Sequence, residues 1–130
     1  MSEPRDRPST RRRLTPRRLA ALAAGVVALV GLALLALVPL QYATLAGAGF
    51  DSVCRASVGR VPAEEGGLLR GAWSWWPLGT SCEWTLLDGT VTEVQPDWST
   101  TAVAITGAAL LLLGIAGAAT ALLVRRRTRG

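Results

Sequence analysis

The sequence predicts an all-α membrane protein, a two-helix transmembrane hairpin with a small, disulfide-tied, β-containing extracytoplasmic loop. Three observations predict this fold class. Two long apolar runs contain no charged side chain, arginines flank the far ends of both runs, and both cysteines lie between them. The apolar residues, which make up 50% of the chain, therefore measure membrane content rather than the size of a soluble core.

The two apolar runs cover residues 19–40 and residues 102–124. At about 1.5 Å per residue, a helix of either length reaches roughly 33 Å, enough to cross a hydrocarbon core of about 30 Å. Backbone groups in lipid must bond within their own segment, so both runs are predicted to be helices. We expect the first helix to stop at Pro39, and Ser99, Thr100 or Thr101 to cap the second, predicted over residues 101–124.

The distribution of charge predicts the orientation. Seven arginines precede the first run and four follow the second, whereas the segment between them carries three arginines and seven acidic residues. The positive-inside rule places residues 1–18 and 125–130 in the cytoplasm and the loop of residues 41–100 outside. Tyr42 and Trp98, at the loop ends of the two runs, suit the aromatic belt of a membrane interface.

These features predict a multi-pass protein of the cell (inner or plasma) membrane with both termini in the cytoplasm. One alternative stays open for the first run. It follows a basic segment and precedes a passable cleavage site at residues 44–46, as in a secretory signal peptide. Cleavage would leave a single-pass protein with the same loop outside, although the run is longer than the usual apolar region of a signal peptide.

Cys54 and Cys82 are the only cysteines, and both lie in the loop. An oxidising compartment outside the membrane favours a disulfide between them. Such a bond would constrain a segment that is too small to build much core by itself.

The loop also contains short stretches typical of β-strands. Strands are predicted for residues 82–87 and 90–94, on either side of Asp88-Gly89, the two-residue signature of a type I′ hairpin. In that register Leu86 faces Val91 and Trp84 faces Glu93. Residues 72–76 and 53–58 are expected to add further strands, with Trp73 and Trp75 on one face.

Tryptophans crowd around the second cysteine, and three interpretations of them stay open. They pack over the disulfide as the core of a tiny domain, they lie on the outer membrane surface, or they form an exposed patch that binds a protein or glycan. The residues concerned are Trp73, Trp75, Trp76 and Trp84.

Residues 75–84 read WWPLGTSCEW, an aromatic-Pro-Leu-Gly-x-x-Cys element that contains Cys82 and lies between the two apolar runs. The element resembles a recurrent pattern in uncharacterised small two-pass membrane proteins of GC-rich actinobacteria. In those proteins a first cysteine, here Cys54, follows the first span. The resemblance implies the two-span topology and the disulfide, and it implies no activity.

The residue types argue against an enzyme. The chain has no histidine, and two cysteines cannot complete a four-ligand zinc site. We find no nucleophile motif and no phosphate-binding glycine loop, so no catalytic residue, metal or cofactor is predicted. The expected role is a non-enzymatic interaction or scaffold protein of the cell envelope, using the external tryptophan-rich loop.

An oligomeric pore, holin-like or accessory to transport, is the alternative function. Ion pathways usually require ionisable groups within the membrane, and neither run has one.

Small residues spaced four apart in both runs would let helices approach closely, either within the hairpin, between copies of the chain or with another membrane protein. They are Ala20, Ala24 and Ala28 in the first run, and Ala104 with Ala108 and Gly114 with Ala118 in the second.

The arginine tails are predicted to bind the anionic headgroups of the lipid bilayer. Topology and lipid already explain basic runs beside a span, so no nucleic-acid partner is expected. The predicted headgroup residues are Arg11, Arg12, Arg13, Arg17, Arg18, Arg125, Arg126 and Arg127.

Overall fold

The computed structural model describes residues 15–56 and 65–130, and in them two long helices are joined through a small domain of one short helix and three strands. In chain order the elements are α1 (Pro16–Ala48), α2 (Phe50–Ala56), β1 (Glu65–Trp75), β2 (Leu78–Leu86), β3 (Val91–Val94) and α3 (Ser99–Arg127). The predicted pair of long helices, the antiparallel strands and the Cys54–Cys82 disulfide are confirmed. We call α2 with β1–β3 the small domain.

Both long helices have the length and composition needed to cross a membrane. α1 has 33 residues with a mean hydropathy of 2.8 in its most apolar window, and α3 has 29 residues with a value of 2.2. At about 1.5 Å per residue these helices measure roughly 50 and 44 Å, which exceeds the thickness of a hydrocarbon core.

The predicted stop at Pro39 is wrong, because α1 continues through that proline to Ala48. A proline inside a helix removes one backbone hydrogen bond, and neighbouring helices and local adjustments compensate for this in apolar helices. α1 ends instead at Gly49, whose φ of 83° is left-handed and whose N–H bonds the Ala46 carbonyl at 3.2 Å. With its ψ of 124°, Gly49 has a conformation that glycine adopts readily because it lacks a Cβ atom.

α1 and α3 pack along a seam of small residues. A Cβ atom added to Gly114 would lie 2.6 Å from Ala28 Cβ and 2.7 Å from Ala24 O, so the backbones touch there. The expectation of close approach is thus confirmed within the hairpin for Ala24, Ala28 and Gly114. The tightest approach, of Gly31 to Leu111 and Gly107, was not predicted.

The three strands form one antiparallel sheet in the order β1-β2-β3. The predicted register of the β2–β3 hairpin is wrong by one residue: Thr85 faces Val91, and Trp84 faces Thr92. Leu86 N donates to Thr90 O at 2.8 Å, which leaves three loop residues, 87–89, instead of two.

The hairpin loop is therefore not a type I′ turn, which would need positive φ at both Asp88 and Gly89. Among the described residues only glycines have positive φ, and Gly89 is one of them, at 85°. A three-residue loop with a left-handed glycine in its last position is the next most common hairpin connection. Thr90 donates from its hydroxyl and its backbone N–H to Asp88 Oδ1, and these bonds lower the pKa of the Asp88 carboxyl.

The strand predicted for residues 53–58 is also wrong over the part that the structure describes, because residues 50–56 form α2. Residues 57 and 58 lie outside the described residues. Phe50 and Cys54 are four residues apart, so a helix places both on the face that packs on the sheet. The disulfide and the ring contact of Phe50 with Trp73 are both made from this face.

Candidate functional site

The disulfide and one tryptophan make up the core of the small domain. Cys54 is fully buried, and Cys82 and Trp84 are each 8% exposed, with Leu68 and Val94 packed beside them. Cys82 and Trp84 are two residues apart and share one face of β2, so the strand directs both toward α2. Of the four clustered tryptophans, Trp84 alone packs in this core.

A second aromatic group lies beside the core, where the end of α1 meets β1. The ring of Trp73 is edge-on to Tyr42 with centroids 5.4 Å apart, and it also contacts Phe50 at 6.4 Å. Trp75 stacks on Tyr42 at 6.3 Å. Trp73 and Trp75 thus share a face, as their spacing predicts, and they join the small domain to the last turns of α1.

A third contact joins the β1–β2 turn to the start of α3. Trp76 lies in this turn, before a cis peptide bond to Pro77, and its ring is edge-on to Trp98 at 5.5 Å. Trp75, Trp76 and Trp98 are 74%, 66% and 58% exposed, and Tyr42 is 42% exposed. We call Tyr42, Trp75, Trp76 and Trp98 the junction aromatics.

Two hydrogen bonds fix the same junction. The backbone N–H of Leu78 donates to Thr101 Oγ1 at 2.8 Å, and Thr100 Oγ1 donates to Gln41 Oε1 at 3.2 Å. The prediction that Ser99, Thr100 or Thr101 caps α3 is wrong, because all three lie within the helix and the cap position is Trp98. The hydroxyls of Thr101 and Thr100 instead bond β2 and α1 to α3, which sequence reasoning did not predict.

Replacing Thr101 with valine removes the acceptor of Leu78 N–H at a fully buried position. The free energy of unfolding is expected to fall by about 1–3 kcal/mol, because the N–H is left unpaired. This loss of stability is measured by thermal melting in detergent, with tryptophan fluorescence as the signal. Thr101→Ser keeps the oxygen and should melt near the wild type. Thr106→Val is the matched control on the exposed side of α3, and equal melting of both valine variants would refute the role of the bond.

A cavity of about 260 Å³ lies between the sheet, the segment after β3, Gln41 of α1 and the start of α3. Its walls include the disulfide cysteine Cys82, Trp84 and the polar side chains of Gln41, Asp97 and Thr100. Gln41 bonds Thr100, and Asp97 accepts from the backbone N–H and hydroxyl of Ser99. These bonds hold the start of α3 against α1 and against the segment after β3.

The arginines predicted to meet lipid headgroups lie at the opposite end of the helix pair, where their positions are described. Arg17 and Arg18 are in the first turn of α1, and Arg125, Arg126 and Arg127 are in the last turn of α3. Arg11, Arg12 and Arg13 lie outside the described residues. The remaining arginine of the α3 end, Arg129, was not among the predicted headgroup residues, and it lies near Arg17 and Arg18.

This arrangement defines a helical hairpin that holds a disulfide-bonded sheet at one end and a cluster of arginines at the other. No family profile, curated protein or solved structure matches the chain. The resemblance of residues 75–84 to two-pass membrane proteins of actinobacteria therefore stays a prediction.

Proposed function

We propose that this chain is a two-span protein of the cell membrane that presents the small domain outside as a non-enzymatic interaction or scaffold module. The observation that carries the membrane assignment is the exposure of the outer faces of α1 and α3. Only 6% and 11% of the most apolar windows of these helices are buried, although the helices pack on each other.

Large aliphatic side chains are exposed along both helices. Leu29 is 66% exposed in α1, and Leu112 and Leu113 are 68% and 66% exposed in α3. In a soluble protein, a core helix would be mostly covered by other parts of the chain. The surfaces of soluble proteins also seldom carry apolar patches larger than a few hundred Å². Hydrocarbon is the environment in which these faces carry no penalty, since lipid tails are as apolar as leucine.

The two ends of the hairpin support the orientation. Arg17, Arg18 and Arg125 lie at one end, and the positive-inside rule assigns such an end to the cytoplasm. The disulfide lies at the other end, as suits an oxidising exterior. The exposed junction aromatics lie where α1 and α3 meet the small domain. In the proposed orientation this is the level of the outer membrane–water interface, where tryptophan and tyrosine are enriched.

In this orientation β3 is an outer strand of the sheet that can receive a partner. In the described part of the chain, β3 pairs only with β2, so its other edge offers unpaired backbone groups. Leu87 and Val91, beside that edge, are 80% and 59% exposed. An extended segment of a partner protein can add to such an edge as a further strand.

Two cysteine variants test the topology. Leu87→Cys places a thiol in the exposed hairpin loop, and Arg129→Cys places one at the arginine end; the native cysteines are disulfide-bonded and do not react. On intact cells an impermeant maleimide should label only Leu87→Cys, and after permeabilisation it should label both. Labelling of Arg129→Cys on intact cells would overturn the orientation.

The interaction role is tested by attaching a photo-crosslinker to the thiol of the Leu87→Cys variant, in membranes from the same cells. A discrete adduct with one protein is expected, and it should weaken when Val91→Lys is added, because a charge disfavours pairing at the strand edge. Adducts with lipid alone would contradict a protein-binding edge and leave the membrane assignment intact.

A further inference from the structure

The arginine end of the helix pair contains a cleft between α1 and α3 with a volume of about 470 Å³. Its lining combines small apolar residues with arginines. The lining residues are Thr15, Arg17, Arg18, Ala21, Ala118, Ala121, Leu122, Arg125 and Arg129.

The shape of the cleft follows from the packing of the helices. One turn deeper in the pair, a Cβ added to Gly117 would lie 3.2 Å from Ala24 Cβ, so the helices are in contact there. Toward the arginine end the facing residues are Ala21, Ala118 and Ala121, whose short side chains leave the space unfilled. The result is a wedge with an apolar floor that opens at the level of the arginines.

The cleft concentrates positive charge, and none of the described residues that line it has an acidic side chain. Arg17, Arg18, Arg125 and Arg129 line it, and the described lengths of α1 and α3 contain no acidic residue. Among residues 15–56 and 65–130, the arginine in a salt bridge is Arg70, which pairs with Glu83 in the small domain. Guanidinium groups that line one cleft repel one another, so an anion that enters the cleft is stabilised.

We propose that the cleft binds the phosphate headgroup of an anionic phospholipid and seats the start of one acyl chain on its alanine and leucine floor. This rests on the proposed two-span membrane topology. Four arginines exceed the charge of one phosphodiester, so a headgroup with two phosphates, as in cardiolipin, is the best match. Basic pockets between transmembrane helices on the cytoplasmic side recognise such headgroups.

The cleft distinguishes arginines that are alike in the sequence. Arg125 and Arg129 line the cleft, whereas Arg126 and Arg127 do not. A diffuse attraction to anionic lipid would use the four arginines at the end of α3 alike, since each contributes about the same surface charge. A site in the cleft uses Arg125 and Arg129 from that end, together with Arg17 and Arg18 from α1.

Purified full-length protein in neutral detergent is titrated with tetraoleoyl cardiolipin, and native mass spectrometry counts the bound lipid. One tightly bound cardiolipin is expected, and dioleoyl phosphatidylcholine should not replace it. The double variant Arg125→Gln/Arg129→Gln should weaken cardiolipin binding by roughly tenfold or more, because each arginine near anionic lipid contributes to the binding free energy. The matched control Arg126→Gln/Arg127→Gln, which removes the same charge, should change it less than about threefold.

A second variant tests the floor without altering the charge. Ala121→Phe fills the wedge, so it should weaken the binding of cardiolipin while leaving the binding of inorganic pyrophosphate unchanged.

Equal losses of cardiolipin binding in the two double arginine variants would show diffuse attraction and overturn the site. Displacement of cardiolipin by equimolar pyrophosphate would show a site for a free phosphate and overturn the role of the acyl chain. If labelling of Leu87→Cys and Arg129→Cys still gives the proposed orientation, such failures concern the cleft alone; reversed labelling would count against the topology itself.

Discussion

Replacing Gly31 with leucine is expected to separate α1 from α3. A Cβ atom at this position would lie 2.6 Å from Gly107 O and closer still to Leu111 N, and both are backbone atoms that cannot rotate away. The helices must therefore move apart along the whole seam, which breaks the contacts of Gly107 and Gly114 as well. Overpacking of this kind typically costs about 1–3 kcal/mol and occasionally more, and a full leucine against backbone should exceed that range.

The measurement is the thermal midpoint of the purified protein in detergent, together with the distance between spin labels placed on the arginine ends of the two helices. The midpoint should fall by more than about 10 °C, on the scale of roughly 2–8 °C per kcal/mol for small proteins, and the labels should move apart. Gly25→Leu is the matched control, because a Cβ at Gly25 of the same helix meets nothing within 4 Å. If both variants melted alike, the seam would not be what joins the helices.

Removing the disulfide is expected to unfold the small domain while the long helices persist. The bond joins residues 28 apart in sequence, and the chain-entropy model assigns such a loop about 3–4 kcal/mol. Cys54, Cys82 and Trp84 are the buried hydrophobic residues of this domain, so little other core remains to hold it together. Cys54→Ala/Cys82→Ala should therefore lose the near-ultraviolet circular dichroism of Trp84 and become sensitive to protease within residues 50–98.

The long helices provide an internal control for this experiment. Their packing rests on the glycine and alanine seam, which the disulfide does not touch, so far-ultraviolet circular dichroism should keep most of its helical signal. Treatment of the wild type with a reductant should reproduce the behaviour of the double variant. A double variant that kept its Trp84 signal and its protease resistance would show that the helix pair alone orders the small domain, through Thr101 and the junction aromatics.

Several features could be predicted from the sequence because their causes are local. Long apolar runs without charge specify helices because their backbone groups must bond internally in lipid. The β-branched and aromatic stretches around Asp88-Gly89 specify a hairpin at that position. The disulfide followed from a count, since two cysteines allow one pairing. The alternation that puts Trp73 and Trp75 on one face needs only the period of a strand.

The sequence did not predict how the hairpin residues pair or where α1 ends. Whether the loop has two or three residues depends on the backbone angle of Asp88, which the Asp-Gly pair alone leaves open. Pro39 predicts a helix end by its missing N–H, yet α1 passes through it. A strand was predicted from residue 53, but residues 50–56 form a helix, which places Phe50 and Cys54 on the face that packs on the sheet.

By itself the sequence determined that there are two apolar helices, a disulfide between them and arginines at their far ends. Those properties depend on side-chain type within a short window. Only the tertiary structure decided that Gly31 meets Gly107, that Trp84 is buried while Trp75 and Trp76 are exposed, and that Arg125 and Arg129 share a cleft that Arg126 and Arg127 do not. The physical reason is that these outcomes depend on which face of one element meets another, and that contact forms only when residues distant in sequence pack together.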